Sequence, residues 1–153
     1  MKVALGADHR GFNAKNYIKS VLQELGFEAC DYGTDSTKSC DYPDPAGSAA
    51  LAVQKGECEV GVLFCGTGIG MCVTANKLHG IRAALCHDEL TAEMSRRHNN
   101  ANVLCLPADL VGNALMRRIV EVWLKTPFEA GRHQGRIDKI TDIERAQCNK
   151  PQS

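Results

Sequence analysis

Val60-Gly61-Val62-Leu63-Phe64 runs into Cys65-Gly66-Thr67-Gly68-Ile69-Gly70, and this junction decides the fold. The apolar run reads as a buried strand. It stops at a cysteine, three glycines follow within five residues, and Met71 to Lys77 then reads as a helix. A thiol therefore stands where a strand ends and a helix begins. Backbone N–H groups at a helix start are unpaired, and the helix dipole places partial positive charge there. Such a turn favours an anion: a phosphate, an enediolate oxygen or the thiolate of Cys65 itself.

Outward from this junction, short aliphatic runs alternate with helical patterns. Strands are expected over Lys2 to Ala7, Phe27 to Tyr32, Val60 to Phe64, Ile81 to Cys86 and Val103 to Leu106. Helices are expected over Ala14 to Leu25, Pro45 to Lys55, Gly68 to Leu78, Glu89 to Arg97, Leu110 to Lys125 and Ile137 to Gln147. Leu115, Ile119, Val122 and Trp123 are the expected inner face of the fifth helix. Strict alternation implies an α/β fold with a parallel sheet covered on both faces. Ligands in such sheets bind at the carboxyl ends of the strands. That rule gathers Asp8 and His9, Cys65 to Gly70, and His87 and Asp88.

The 153 residues fit a single domain over 1–153, with a C-terminal helical extension at about 127–148. The 18 basic and 18 acidic residues balance, so nothing points to nucleic acid. No apolar span suits a membrane, and the chain opens directly on a strand. The eight cysteines contain no CxxC pair, which argues against zinc ribbons and clustered iron–sulfur patterns. A reducing cytoplasm with free thiols is the simplest expectation.

The glycine spacing is GxGxG rather than GxGxxG, and no Lys-Ser/Thr pair completes a phosphate loop. A dinucleotide- or flavin-dependent reductase is thereby disfavoured. A thiol whose pKa is lowered toward neutrality suits removal of a proton α to a carbonyl. Thr67 stands two residues on, where its hydroxyl either assists Cys65 or caps the helix. His98 follows Arg96-Arg97 and can donate a proton at neutral pH. Arg132 and Arg136, four apart, share a face if helical and suit phosphate.

Taken together, Gly6-Ala7-Asp8-His9-Arg10-Gly11-Phe12, Asp41-Tyr42-Pro43, Cys65 to Gly70 with Ala75-Asn76-Lys77, Gly80-Ile81-Arg82-Ala83-Ala84, Ser95-Arg96-Arg97-His98-Asn99, Asn102-Val103-Leu104 and Phe128-Glu129-Ala130-Gly131-Arg132-His133 resemble the ribose-5-phosphate isomerase B family. That family also includes galactose-6-phosphate and allose-6-phosphate isomerases. The resemblance implies a three-layer, Rossmann-like sandwich with five parallel strands. It implies an aldose–ketose isomerase that works through an enediolate, without metal or other cofactor. By motif match, Cys65 is the base, Thr67 polarises it or positions the substrate, and His98 opens the sugar ring with help from Asp8. The amides of Gly66, Gly68, Ile69 and Gly70 would receive the enediolate oxygen. His9, Arg132 and Arg136 would hold phosphate, and Tyr42 and Asn99 the sugar. A homodimer or homotetramer is implied, with His98 and Asn99 reaching the partner's site. Two positions depart from the family pattern: Asn100 replaces an aspartate, and Asp109 stands where many members carry arginine. Another aldose substrate, or a non-catalytic phosphosugar-binding module, is the competing expectation.

Overall fold

The computed structural model describes residues 1–148. Residues 149–153 of the expected single domain lie outside that range. Five strands form one parallel sheet: β1 (Lys2–Ala7), β2 (Glu28–Asp31), β3 (Val60–Cys65), β4 (Ala83–Leu85) and β5 (Val103–Pro107), in the order β2-β1-β3-β5-β4. Six helices connect and cover it: α1 (Phe12–Glu24), α2 (Pro43–Gln54), α3 (Ile69–Ala75), α4 (Glu89–Arg97), α5 (Asn113–Lys125) and α6 (Gln134–Cys148), the last preceded by a 3₁₀ turn at Gly131–His133. The α/β three-layer sandwich and its five-stranded parallel sheet are as expected.

Each strand sends alternate side chains to opposite layers. Val3, Leu5, Val62, Phe64, Leu104 and Leu106 join Ile18 and Leu22 of α1 and Ile119 and Trp123 of α5. Ala4, Leu63, Cys65, Val103 and Cys105 join the alanines of α2 and Met71 and Ala75 of α3. Both faces of β3 and β5 are buried, so these strands read as continuous apolar runs rather than alternations.

Register sets the site. Ala7 lies beside Phe64, and Cys65 beside Pro107. The carboxyl ends of β1, β3 and β5 thus finish together, with β3 in the middle.

Some expected bounds shift. α5 begins at Asn113, three residues later than Leu110, because Leu110 and Val111 N–H groups close a turn onto Pro107 O. Its inner face is Met116, Ile119, Val120 and Trp123, whereas Leu115 and Val122 are half-buried. β4 is confined to three residues because Asn76 and Asn102 side chains take up the backbone of Arg82 and Ala83 on its amino side. Arg132 sits on the 3₁₀ turn and Arg136 on α6, so they do not share one continuous α-helical face.

Candidate active site

β3 delivers Cys65 to the middle of the sheet's carboxyl edge, where the thiol is only 5% exposed. The chain then turns over the strand end to start α3. Gly68 adopts φ +74°, a conformation glycine takes without the penalty other L-residues meet. This bend aims the Gly68 N–H back at the Cys65 Sγ, 3.1 Å away. Thr67 is exposed and its Oγ1 accepts from Ile69 N–H at 3.4 Å. Among the described residues the donor to Cys65 is therefore the backbone of Gly68, and Thr67 supports the helix start.

Asp8 continues from β1 on the neighbouring strand and is 5% exposed. Its Oδ1 accepts from the N–H groups of Arg10 (2.9 Å) and Gly11 (3.0 Å), which fixes the β1–α1 loop. The imidazole of His9 rests with Nδ1 3.3 Å from both the carbonyl and the amide of Cys40. Tyr42 begins α2, and its ring lies against Gly70, where a Cβ would come within 2.7 Å of the ring. Asp8, Arg10, Tyr42, Cys65, Gly66, Thr67, Gly70 and Asp109 line one cleft of about 250 Å³. Of the expected site residues, Asp8, Tyr42, Cys65, Gly66, Thr67 and Gly70 are brought together there.

His98 and Asn99 are not. α4 leaves the carboxyl end of β4 and runs back about 13 Å before His98 caps it. Val103 then starts β5 at the amino edge of the sheet, opposite Cys65. At that edge His98 stacks on His133, with ring centroids 4.3 Å apart and planes inclined by 14°. Glu129 Oε2 approaches both rings, at 3.8 Å from His98 Nε2 and 3.6 Å from His133 Nε2. Glu129 Oε1 takes Arg97 Nε at 2.6 Å. That guanidinium, then the nearby histidines, hold the Glu129 carboxyl below its usual range despite some burial. Burial, followed by the positive fields of His98, Arg132 and Arg136, pushes the His133 pKa down. The ligand atoms of His98, Glu129 and His133 lie within 4.8 Å of one another. In nearly parallel rings the in-plane lone pairs run side by side instead of converging on one ion, which does not suit tetrahedral coordination.

Arg132 and Arg136 are exposed next to this second cluster. Asn99 borders a larger, mainly apolar groove of about 590 Å³ whose far wall is Ile140 and Ile143 of α6. The chain therefore carries two polar clusters on opposite edges of one sheet. One holds the thiol and a carboxylate. The other holds the imidazoles and arginines.

Sequence reasoning missed three features of this arrangement. The Gly68 N–H as thiol donor depends on a left-handed turn that three alternating glycines permit but do not specify. Glu129 and His133 stand four apart, a spacing that brings them together only once the 3₁₀ turn leads into α6. The ion pair between Arg10 and Asp109, across the cleft, joins residues 99 positions apart and leaves no local signal.

Asn100 also has a structural reason. It adopts φ +46° while its carbonyl accepts from Arg82 Nε at 2.8 Å. Asparagine tolerates that left-handed geometry well.

Known proteins share this fold. Residues 3–140 match the family model described as Ribose/Galactose Isomerase. The chain is 47% identical over 143 residues to ribose-5-phosphate isomerase B of Escherichia coli, covering 94% of this chain and 96% of that one. It is 43% identical over 141 residues to D-erythrulose-4-phosphate isomerase of Pectobacterium atrosepticum, covering 92% and 93%. The structure of Clostridium thermocellum ribose-5-phosphate isomerase B superposes with a TM-score of 0.95 at 46% identity, over 96% of this chain and 99% of that one. A match of this extent, over nearly the whole chain and the whole fold, places the chain in the ribose/galactose isomerase family.

Proposed function

We propose that this protein is an aldose–ketose isomerase that interconverts ribose 5-phosphate and ribulose 5-phosphate. The observation that carries the reading is the Cys65 thiol, buried in a cleft beside Asp8 and held by the Gly68 N–H at 3.1 Å. A thiolate there removes a proton from one of the two carbons flanking the carbonyl shift and returns it to the other. The negative charge passes to an enediolate oxygen. Amides of the Gly66 to Gly70 turn would receive that oxygen; in the empty cleft the Gly68 N–H is directed at sulfur and the Ile69 N–H at Thr67 Oγ1. Proton transfer between carbons 1 and 2 is redox-neutral within the substrate, so no cofactor is required.

The sugar must first open. His98 supplies the proton to the ring oxygen, Asp8 assists, and Arg132, Arg136 and His9 receive phosphate while Tyr42 and Asn99 contact the sugar. His98 lies on the sheet edge opposite Cys65, so this division of labour needs two chains. We assign a homodimer, or a homotetramer of such dimers, in which each cleft receives His98 and Asn99 from a partner. Exposed Ile69 and Val73 on α3 and Ile140 and Ile143 on α6 give such a contact apolar surface. The protein is read as cytoplasmic; among the described residues no helix is long and apolar enough to cross a membrane. A relative named D-erythrulose-4-phosphate isomerase makes a different sugar phosphate the second reading of the same chemistry.

The test is interconversion of ribose 5-phosphate and ribulose 5-phosphate by wild type and Cys65→Ala, with EDTA present. The expected result is robust wild-type turnover, undiminished by EDTA, that falls by at least about 10³-fold in the variant. Turnover retained by Cys65→Ala overturns the role of Cys65. Absence of turnover in the folded wild type moves the assignment to the four- and six-carbon sugar phosphates.

A further inference from the structure

Arg10 and Asp109 meet over the strand that carries Cys65. Arg10 follows β1, and Asp109 follows β5, so they flank β3 from either side. The Arg10 guanidinium pairs with Asp109 Oδ2 directly above Gly66. A Cβ on residue 66 would stand 2.6 Å from Asp109 Oδ2 and 2.9 Å from Arg10 Nε, so glycine is what lets the bridge lie on the cleft floor. Asp109 is also held through its backbone, whose N–H donates to Gly66 O at 3.1 Å. Its carboxylate is thus anchored at the cleft edge, while the long arginine side chain is 60% exposed.

The charge balance of the cleft is unusual for a site that takes a phosphorylated sugar. Its lining holds two carboxylates, Asp8 and Asp109, and one cation, Arg10. Arg132 and Arg136 lie with the His98 cluster at the other edge of the sheet. A phosphate dianion entering this cleft meets the Arg10 fork as its cationic partner within the same chain. Guanidinium and phosphate make bidentate, charge-assisted hydrogen bonds, whereas a largely exposed ion pair is weak and readily exchanged.

We infer that Arg10 is a phosphate-binding residue of this chain's own half-site, and that Asp109 is its resident counter-ion, which the substrate phosphate replaces on the guanidinium. This deepens the isomerase reading and rests on it. Asp109 holds Arg10 extended over Gly66 while the site is empty, so the fork is in place when substrate arrives. Its carboxylate also repels the incoming dianion and competes for Arg10, which weakens phosphate affinity. The pair therefore sets affinity for the phosphorylated end and leaves the proton transfer at Cys65 to other groups.

The experiment compares wild type, Arg10→Met, Arg10→Lys and Asp109→Asn. Steady-state kinetics with ribose 5-phosphate are combined with calorimetric titration of inorganic phosphate. Both side chains are substantially exposed, and thermal melting checks that the variants fold. Arg10→Met should raise KM roughly ten- to hundredfold, with kcat falling far less, and weaken phosphate binding in parallel. Arg10→Lys should lie between, since it keeps charge but loses the fork. Asp109→Asn should lower KM and tighten phosphate binding. Unchanged KM and phosphate affinity in Arg10→Met overturn the assignment. A fall confined to kcat overturns it too, because Arg10 would then serve the enediolate. Weaker binding in Asp109→Asn overturns the counter-ion role. If wild type isomerises no sugar phosphate, the functional reading fails, and the calorimetric arm still decides whether Arg10 binds phosphate.

Discussion

At the scale of single residues, Gly68 joins backbone geometry to chemistry. A side chain there meets a left-handed φ that costs an L-residue about 1–2 kcal/mol, and its Cβ would lie 2.5 Å from Leu85 Cδ1. We predict that Gly68→Ala lowers stability by at least that amount and depresses kcat, because relieving the clash withdraws the N–H from Cys65. Urea midpoints and kcat measured together check it, and an unchanged kcat would separate the turn from the thiol. A second thiol competes for attention. The hydrogen bond from Cys105 outweighs burial and lowers the Cys72 pKa to about 7, with help from Leu85 N–H and Asn76. A lowered thiol pKa means the thiolate fills as pH rises through that value. Iodoacetamide labelling of Cys72, followed by peptide mass spectrometry, should therefore rise with a midpoint near pH 7. Cys105→Ala should move the midpoint upward; an unmoved midpoint would discount the thiol–thiol contact. Local sequence showed eight cysteines with no pattern, and only the facing of α3 on β5 singles out this pair.

At the scale of elements, α1 and β2 are locked by Lys15. Its side chain is 2% exposed and reaches Asp31 Oδ1 at 2.7 Å. Burial raises the Asp31 pKa, but Lys15, the Gly33 N–H and Lys19 together bring it below the usual value. A carboxyl depressed in the fold contributes stability that is complete above its unfolded pKa of about 4 and is lost as pH falls through the folded value. Lys15→Met leaves Asp31 with Lys19 alone as a cation. We expect a loss of about 2 kcal/mol at pH 7, less than the roughly 3–5 of a fully buried pair, because Asp31 is partly exposed. The deficit should shrink on acidification below pH 4, as read from urea midpoints at pH 7 and pH 3. A deficit independent of pH would assign the loss to packing instead. The helical stripe of α1 was legible in Ile18, Val21 and Leu22 because period 3.6 marks a buried face. Lys15 was not, since burial of a lysine depends on a partner strand 16 residues away.

At the scale of the whole molecule, the two half-sites make a prediction about assembly. If each cleft combines Cys65 of one chain with His98 of another, two inactive variants complement each other. Cys65→Ala and His98→Asn, unfolded together at equal amounts and refolded, should recover about a quarter of wild-type activity, since half the dimers are mixed and each mixed dimer has one intact site. Refolding each variant alone should give none. Absence of recovery, with mixed dimers present by native mass spectrometry, would return His98 to its own chain and contradict the topology of α4.

The layers, the order of elements and the junction at Cys65 were legible along the chain. Those follow from periodicity, glycine placement and alternation, all of which are local. The sequence also supplied Asp8, Thr67 and the glycine turn, because the carboxyl-edge rule converts chain order into neighbourhood, while Tyr42 came from the family resemblance. The folded chain was needed to show that His98 lies at the opposite edge from Cys65, that the Gly68 N–H addresses the thiol, and that Arg10 answers Asp109 across Gly66. Each depends on strand order and on which way a helix returns. Those are set by the packing of the whole sheet, and residues close in space there are far apart along the chain.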